Sequence, residues 1–473
     1  VSAPSEKLIM TYAASELQGG KELRTSLAFE RARLLLSLPV IDYSALTLSE
    51  RLWQKNIALE YVGTAKGDEL DALSRYFSED GELAPKFEAL YIPITDTACR
   101  VPKELSELVF GDKMSFSPSA LEKYVRCHFD YWCEYVLHLK KDERNIFRLN
   151  DTGSLIHALL EKFIALVTDE DGFNAERAEE EGEELIKELM SLYVKDNFPE
   201  KDIGRESTAH VISKLCHLTS LMAKNITKEL KKSRFVPTFF ELKINERGDG
   251  AARPLTFTLS DGSKASLRGI VDRVDIYRDG KDAYVKVVDY KTGSKEFSER
   301  DIRDGLNMQM LIYLFSICES EENKKLLGVK NGSLIPSGVV YLSSRVSGIT
   351  EKSGTEKSDI DKLAEAKLSR SGILLGDEKV LSAVNEDMDF GFILSSAKTD
   401  KKKKELFKTS SEMEELRALV SSVLTDKFEE LRCGEASAAP MEHDGRLPCE
   451  YCSMKPICRA VHRGNKEEGE VEN

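Results

Sequence analysis

With 473 residues, 41% of them hydrophobic, the chain can bury a large core and has room for more than one domain. No run of about 18 apolar residues occurs, so no membrane helix and no membrane partner is expected. A formal net charge of −14 argues against a protein that coats nucleic acid by charge alone, although the acid is gathered in runs such as 179–184 and 467–472, away from Lys231, Lys232, Arg234 and the stretch 398–404.

The N-terminus, Val1-Ser-Ala-Pro-Ser5, has neither an initiator methionine nor a charged-then-apolar signal layout. Lys7–Ala13 reads as a buried strand and Ser26–Leu38 as a helix. No G-x-x-x-x-G-K-[ST] loop occurs anywhere, so no ATP site of that type is expected. Ser117 followed by Pro118 is a good helix start, and helices are expected over 118–137, 153–167, 173–196 and 206–231. Strands follow at 236–245, 254–259, 265–277 and 283–290, then a helix at 300–318. Gly338–Leu342 has the near-continuous apolar run of a central strand. Residues 356–372 and 410–432 read as helical, and 320–333 and 345–357 as loops.

The chemistry concentrates where two strands meet. Gly269-Ile-Val-Asp272-Arg-Val-Asp275-Ile-Tyr277 and Tyr284-Val-Lys-Val-Val-Asp289-Tyr-Lys291 flank an Asp279-Gly280 pair, a strong hairpin signal. With those two residues as the turn, Asp272 falls opposite Val287. Asp272, Asp289 and Lys291 then share one sheet face, because residues i and i+2 point the same way. The two aspartates become diagonal neighbours at roughly 7–8 Å, within reach of one cation, while Asp275 points to the other face. Two carboxylates and an ammonium so placed are what metal-assisted phosphodiester cleavage requires. His157 lies on the flank of an apolar helical stripe, one turn before Glu161. Gln309 and Tyr313 share one face of a later helix. Glu241, on the strand before the hairpin, is a lesser candidate and reads as a surface or salt-bridge residue.

Taken in order, Gly153-x-x-x-His157, Gly269-x-x-Asp272, Asp289-Tyr-Lys291 and Gln309-x-x-x-Tyr313 resemble the PD-(D/E)XK nucleases of the RecB type. The resemblance implies an α/β, restriction-endonuclease-like fold with a mixed central sheet flanked by helices. It implies that His157, Asp272, Asp289 and the main-chain carbonyl of Tyr290 bind Mg²⁺ or Mn²⁺. Lys291 is then the catalytic lysine, with Gln309 and Tyr313 lining the site near the DNA phosphates. Val288 stands where the family name has proline.

Nine cysteines without a secretory segment suit a reducing cytoplasm. Cys99, Cys133, Cys216, Cys318 and Cys433 show no ligand spacing and read as small hydrophobes. Cys449-x-x-Cys452 followed by Cys458 suits a soft metal, with Cys127 as a candidate fourth ligand, and the ligands by themselves favour zinc slightly over iron–sulfur. One cysteine ahead of the nuclease motifs and C-x2-C-x5-C after them looks like the [4Fe–4S] staple of the AddB subunits of bacterial AddAB helicase–nucleases. Ser117-Pro-Ser-Ala-Leu-Glu122 leading to Cys127-His-Phe129 is similar too, with His128 where proline is usual. Met10–Ala14, Gly19-Gly20 and Thr25-Ser26 resemble the end of the helicase-like part of AddB.

That resemblance implies a C-terminal fragment of a larger polypeptide. Residues 1–112 would close an inactive helicase-like domain, 113–462 would form the nuclease domain, and 463–473 an acidic disordered tail. It further implies a DNA exonuclease acting on single-stranded DNA from duplex ends, on the 5′-ended strand, beside an AddA-like helicase–nuclease subunit in break repair and recombination. A standalone RecB-type iron–sulfur exonuclease of CRISPR adaptation and a non-cutting DNA-binding module are the alternatives.

Overall fold

The computed structural model describes residues 25–37, 55–62, 65–91, 99–139, 149–169, 172–197, 206–246, 248, 250–291, 297–343, 368, 370–388, 390, 405–455 and 457–458. Contacts divide the chain into two units, Val1–Thr95 and Asp96–Asn473.

The first unit holds helices α1 (Leu27–Leu36), α2 (Lys55–Val62), α3 (Asp68–Glu79) and α4 (Ala84–Tyr91). Ser26 caps α1, its hydroxyl accepting the Phe29 N–H, as a serine ahead of a helical run is suited to do. Phe77 and Phe87 stack at 5.8 Å in a small core with Leu73 and Leu83. The strand expected at Lys7–Ala13 lies outside the described residues.

Apart from a two-stranded ribbon of Thr168–Asp169 and Gly172–Phe173, the strands of the second unit are β1 (Lys113–Phe116), β2 (Val236–Ile244), β3 (Thr256–Thr258), β4 (Lys264–Leu267), β5 (Gly269–Asp279), β6 (Asp282–Lys291), β7 (Leu334–Ser343), β8 (Arg370–Leu375) and β9 (Phe407–Lys408). Its α-helices of five or more residues are α5 (Lys103–Phe110), α6 (Pro118–Arg126), α7 (Leu149–Leu166), α8 (Ala175–Asn197), α9 (Glu206–Leu230), α10 (Glu299–Arg303), α11 (Gln309–Glu319), α12 (Glu321–Leu326), α13 (Glu378–Val384) and α14 (Ser410–Arg432). The unit begins ahead of residue 112 because α5 packs on α14: the buried Ser106 hydroxyl donates to the Leu431 carbonyl, and the Val101 N–H to that of Gly434.

The main sheet is six-stranded and mixed, in the order β9-β8-β7-β6-β5-β2. β6 lies antiparallel to β5 and parallel to β7. Val274, Ile276, Val285, Val287, Val339 and Tyr341 pack toward α6, α11 and α14. Val288, Tyr290, Val340, Leu342 and Leu374 pack toward α7, α8, α9 and α13. Both faces are covered, which is why β6 buries apolar side chains on each of them, Val285 and Val287 on one and Val288 and Tyr290 on the other. The mixed α/β fold expected from the sequence is the one adopted.

Several boundaries differ from expectation, each for a local reason. The run 265–277 is broken at Arg268, whose N–H bonds the Phe116 carbonyl, so β4 joins β1 and β3 in a separate three-stranded sheet. The helix expected over 300–318 is interrupted at Gly305, which takes φ +83° where a Cβ would lie 2.9 Å from Val125. The helix expected over 118–137 stops at Cys127, whose backbone is extended, before a second short turn at His128–Tyr131. Residues 370–372, expected at the end of a helix, open β8 instead, because Arg370 is drawn into a buried ion cluster beside the sheet.

Candidate functional site

The hairpin turn consists of Gly280 and Lys281, since Asp279 pairs with Asp282. Gly280 has φ +61° and Lys281 does not share the left-handed conformation, the signature of a type II′ turn with glycine at its first central position. This corrects the turn expected at Asp279-Gly280. The pairing slides by two residues, so side-chain parity survives. Arg273 lies opposite Val288, and one pair further along Asp272 lies opposite Asp289 rather than diagonal to it.

Around these aspartates the expected residues come together. Lys291 Nζ stands 2.9 Å from Asp289 Oδ2. Asp272 Oδ2 accepts the Tyr290 main-chain N–H at 2.9 Å and lies 3.3 Å from His157 Nδ1 on α7. The His157 ring meets the Tyr290 ring edge-on at 5.6 Å. Asp289 is 3% exposed, and its Oδ2 has no hydrogen bond of good geometry despite the ion pair with Lys291. Burial and the charge of Asp272 push its carboxyl up to about 6, against the opposing pull of Lys291 and His157. Burial opposes a charge on His157, but Asp272, Asp289 and the Tyr290 main chain outweigh it and raise the imidazole above its usual range. The centre thus sets two carboxylates against an ammonium and an imidazole in largely buried surroundings. Among the described residues, no three His, Cys, Asp or Glu side chains close on a common point.

Gln309 and Tyr313 are placed differently from each other. Tyr313 is buried with its phenol against the start of β5, where it takes a hydrogen bond from the Ile270 main chain and one from Gln309 Nε2 at 3.3 Å. A Cβ at Gly269 would lie 2.3 Å from the Tyr313 hydroxyl. Glycine at that position therefore lets α11 brace the strand that carries Asp272. Tyr313 is buried against the strand, whereas Gln309 is half-buried.

Glu241 and Glu161 carry more weight than their sequence surroundings suggest. The pairs Phe240–Arg273 and Leu242–Val271 bracket Glu241 and put it opposite Asp272, so Glu241, Asp272 and Asp289 form one row across β2, β5 and β6. Glu241 has φ +45°, an uncommon conformation for a residue with a side chain. Glu161 is one turn beyond His157 on α7, and burial followed by the charges of Glu241 and Asp272 raises its carboxyl. Acids on neighbouring strands are the available signal in the sequence, but the left-handed conformation of Glu241 is not.

The cysteines gather at a second locus. Cys127 is buried at the end of α6, while Cys449, Cys452 and Cys458 lie in the half-buried segment around the short turn Pro448–Glu450. Burial raises the Cys127 thiol to about 11, and both Asp130 and Cys458 lie close enough to push it the same way. Burial likewise raises Cys449 and Cys452, which feel Cys458 and Cys449 respectively. Cys133, which lacks ligand spacing in the sequence, is buried within range of Cys458 and Cys452.

Residues 115–459 match the PD-(D/E)XK nuclease superfamily. Among curated proteins, the chain is similar to an ATP-dependent helicase/deoxyribonuclease subunit of Clostridium kluyveri, 30% identical over 77% of this chain and 32% of that protein. The protein of the same description from Acetivibrio thermocellus is 28% identical over 81% of the chain and 34% of its own length, and that from Clostridium acetobutylicum 25% over 97% and 41%. The chain thus spans about a third to two-fifths of the length of these relatives. No helix among the described residues is long and apolar enough to cross a membrane. The family match takes in the whole run from His157 through Tyr313 that the main sheet assembles, and the chain belongs to the PD-(D/E)XK nuclease superfamily.

Proposed function

We propose that this chain carries the nuclease centre of a helicase–nuclease subunit and hydrolyses phosphodiester bonds of DNA with Mg²⁺ or Mn²⁺. The observation that supports this most is the convergence of His157, Asp272, Asp289 and Lys291, from three separate stretches of sequence, on one end of the β5–β6 pair. The donor set fits a hard divalent cation: two carboxylates, an imidazole and the Tyr290 carbonyl, with a buried Asp289 oxygen short of hydrogen-bond partners. A cation bound there would acidify water and offset charge on the scissile phosphate.

The protein's own groups divide the remaining work. Lys291, tied to Asp289 yet partly exposed, orients the attacking water and offsets charge on the phosphate as it becomes five-coordinate. Asp272 and His157 hold one another in a fixed geometry, and the neutral imidazole is the form that can ligate. Gln309 positions the phosphate at the rim, and Tyr313 keeps β5 in place beneath it.

The substrate is proposed to be single-stranded DNA at duplex ends, the 5′-ended strand in particular, delivered by an AddA-like partner subunit. The residues ahead of the second unit, 1–95, are proposed to close a helicase-like domain without its own motor. Cys127, Cys449, Cys452 and Cys458, whose thiols act on one another, are proposed to hold a [4Fe–4S] cluster, with Zn²⁺ as the rival occupant. Nine free cysteines suit the cytoplasm as the place of action. Mg²⁺-dependent cleavage should disappear in Asp289→Ala, and full cleavage by that variant would sink the assignment.

A further inference from the structure

On the sheet face opposite Asp272 and Asp289 lies a cluster of five buried charges. Arg273 Nε stands 2.8 Å from Asp275 Oδ1, and Lys286 Nζ 3.2 Å from Asp275 Oδ2. Glu229 of α9 accepts from Arg370 Nε at 2.9 Å and pairs with Lys286 at 3.5 Å. Burial would raise the Glu229 carboxyl, but Arg370, Lys286 and Arg273 together bring it down to about 2. Three cations thus meet two anions, and each of these side chains is nearly inaccessible. Such a cluster is weak as a source of stability, since desolvation offsets most of the attraction. Its geometry has a second consequence.

Arg273 has a donor directed beyond the cluster. Its Nη1 donates to the Tyr290 hydroxyl at 3.1 Å, between two buried side chains. Tyr290 is the residue between Asp289 and Lys291. Its ring meets His157, and its main-chain N–H holds Asp272 Oδ2. One residue therefore joins the buried charges both to His157 of α7, which packs on the same face as the Tyr290 ring, and to Asp272 on the opposite face.

We propose that Tyr290 is a positioning residue, its hydroxyl clamped by Arg273 so that its N–H and ring fix the angles of Asp272 and His157. The inference rests on the metal-dependent reading of the site. Tyr290→Phe keeps the ring and the main chain and removes only the clamp. Groups that orient ligands from behind commonly change metal affinity about 10–100-fold, and a loss of about 10-fold in Mn²⁺ affinity is expected here.

The test is Mn²⁺ titration of the full chain by calorimetry and electron paramagnetic resonance, with thermal melting alongside. Asn225→Ala is the control: Asn225 bonds Arg370 at the far side of the cluster, away from Tyr290. The expected result is weaker Mn²⁺ binding and an altered resonance spectrum in Tyr290→Phe, with neither change in Asn225→Ala even if its melting temperature falls. Arg273→Lys, which keeps the charge but loses the planar fork, should weaken Mn²⁺ binding without adding to the effect of Tyr290→Phe. Unchanged Mn²⁺ affinity and spectrum in Tyr290→Phe would overturn the positioning role and leave the nuclease reading intact. Absence of site-specific Mn²⁺ binding in the unmodified protein would overturn both.

Discussion

The phenol of Tyr313 occupies the space that a side chain at Gly269 would need, with only 2.3 Å between its hydroxyl and the position of a Cβ. Two motifs more than forty positions apart in the chain are thereby one contact. The ring itself would also collide, its nearest carbons lying 2.6 and 2.7 Å from that Cβ. Gly269→Ala is therefore expected to displace β5 or α11 and to cost about 1–3 kcal/mol, the range for overpacking. Thermal melting should show a drop of several degrees, and Mn²⁺ affinity should fall with it because Asp272 sits on the displaced strand. A variant with unchanged melting and binding would show that the Tyr313 contact does not constrain the site.

The pH dependence follows from two raised groups. Asp289, held up to about 6 by burial and Asp272, binds its proton more tightly folded than unfolded. His157, raised by Asp272 and Asp289 against the effect of burial, does the same. Each contributes stability that is present at acid pH and lost as pH rises through its folded value. A divalent cation bound as proposed would replace those protons and restore the loss. Mn²⁺ is accordingly expected to raise the melting temperature more at about pH 8 than at about pH 5, and to release protons on binding. Thermal scans with Mn²⁺ or chelator at the two pH values, and calorimetry in buffers of different ionisation enthalpy, check both statements. Equal Mn²⁺ stabilisation at both pH values would contradict them.

Much of this site is legible in the sequence because its logic depends on parity. Asp272, Asp289 and Lys291 fall on one face with a turn at Asp279-Gly280. The turn lies at Gly280-Lys281, yet a slide of two residues leaves every face unchanged. What parity cannot convey stays hidden. Glu241 enters the acidic row through a left-handed residue within β2, which no alternation pattern marks. The sequence around Arg370 carries a helical pattern, whereas its partner Glu229 is on α9, far away in the chain. Buried pairs of that kind are fixed by tertiary packing alone.

A metal cluster that joins Cys127 to Cys458 would close a loop over most of the second unit and restrict the unfolded chain accordingly. Cys452→Ser, prepared without oxygen, is expected to lose iron and to melt roughly 5 °C or more below the unmodified protein, a difference of a few kcal/mol. Elemental analysis beside the melting curve decides the occupant: iron with sulfide favours the cluster, and zinc the rival. Unchanged melting with unchanged metal content would remove the staple.

Digestion of end-labelled single-stranded DNA with Mg²⁺, comparing the unmodified chain with Lys291→Ala, tests the central claim most directly. The account predicts cleavage by the unmodified protein and a loss of at least about 100-fold in the variant, the scale of removing a group that stabilises transition-state charge. The position of the label in the products would report the polarity of cutting. Cleavage by Lys291→Ala at the unmodified rate would contradict the account, because the ammonium beside Asp289 would then have no part in the chemistry.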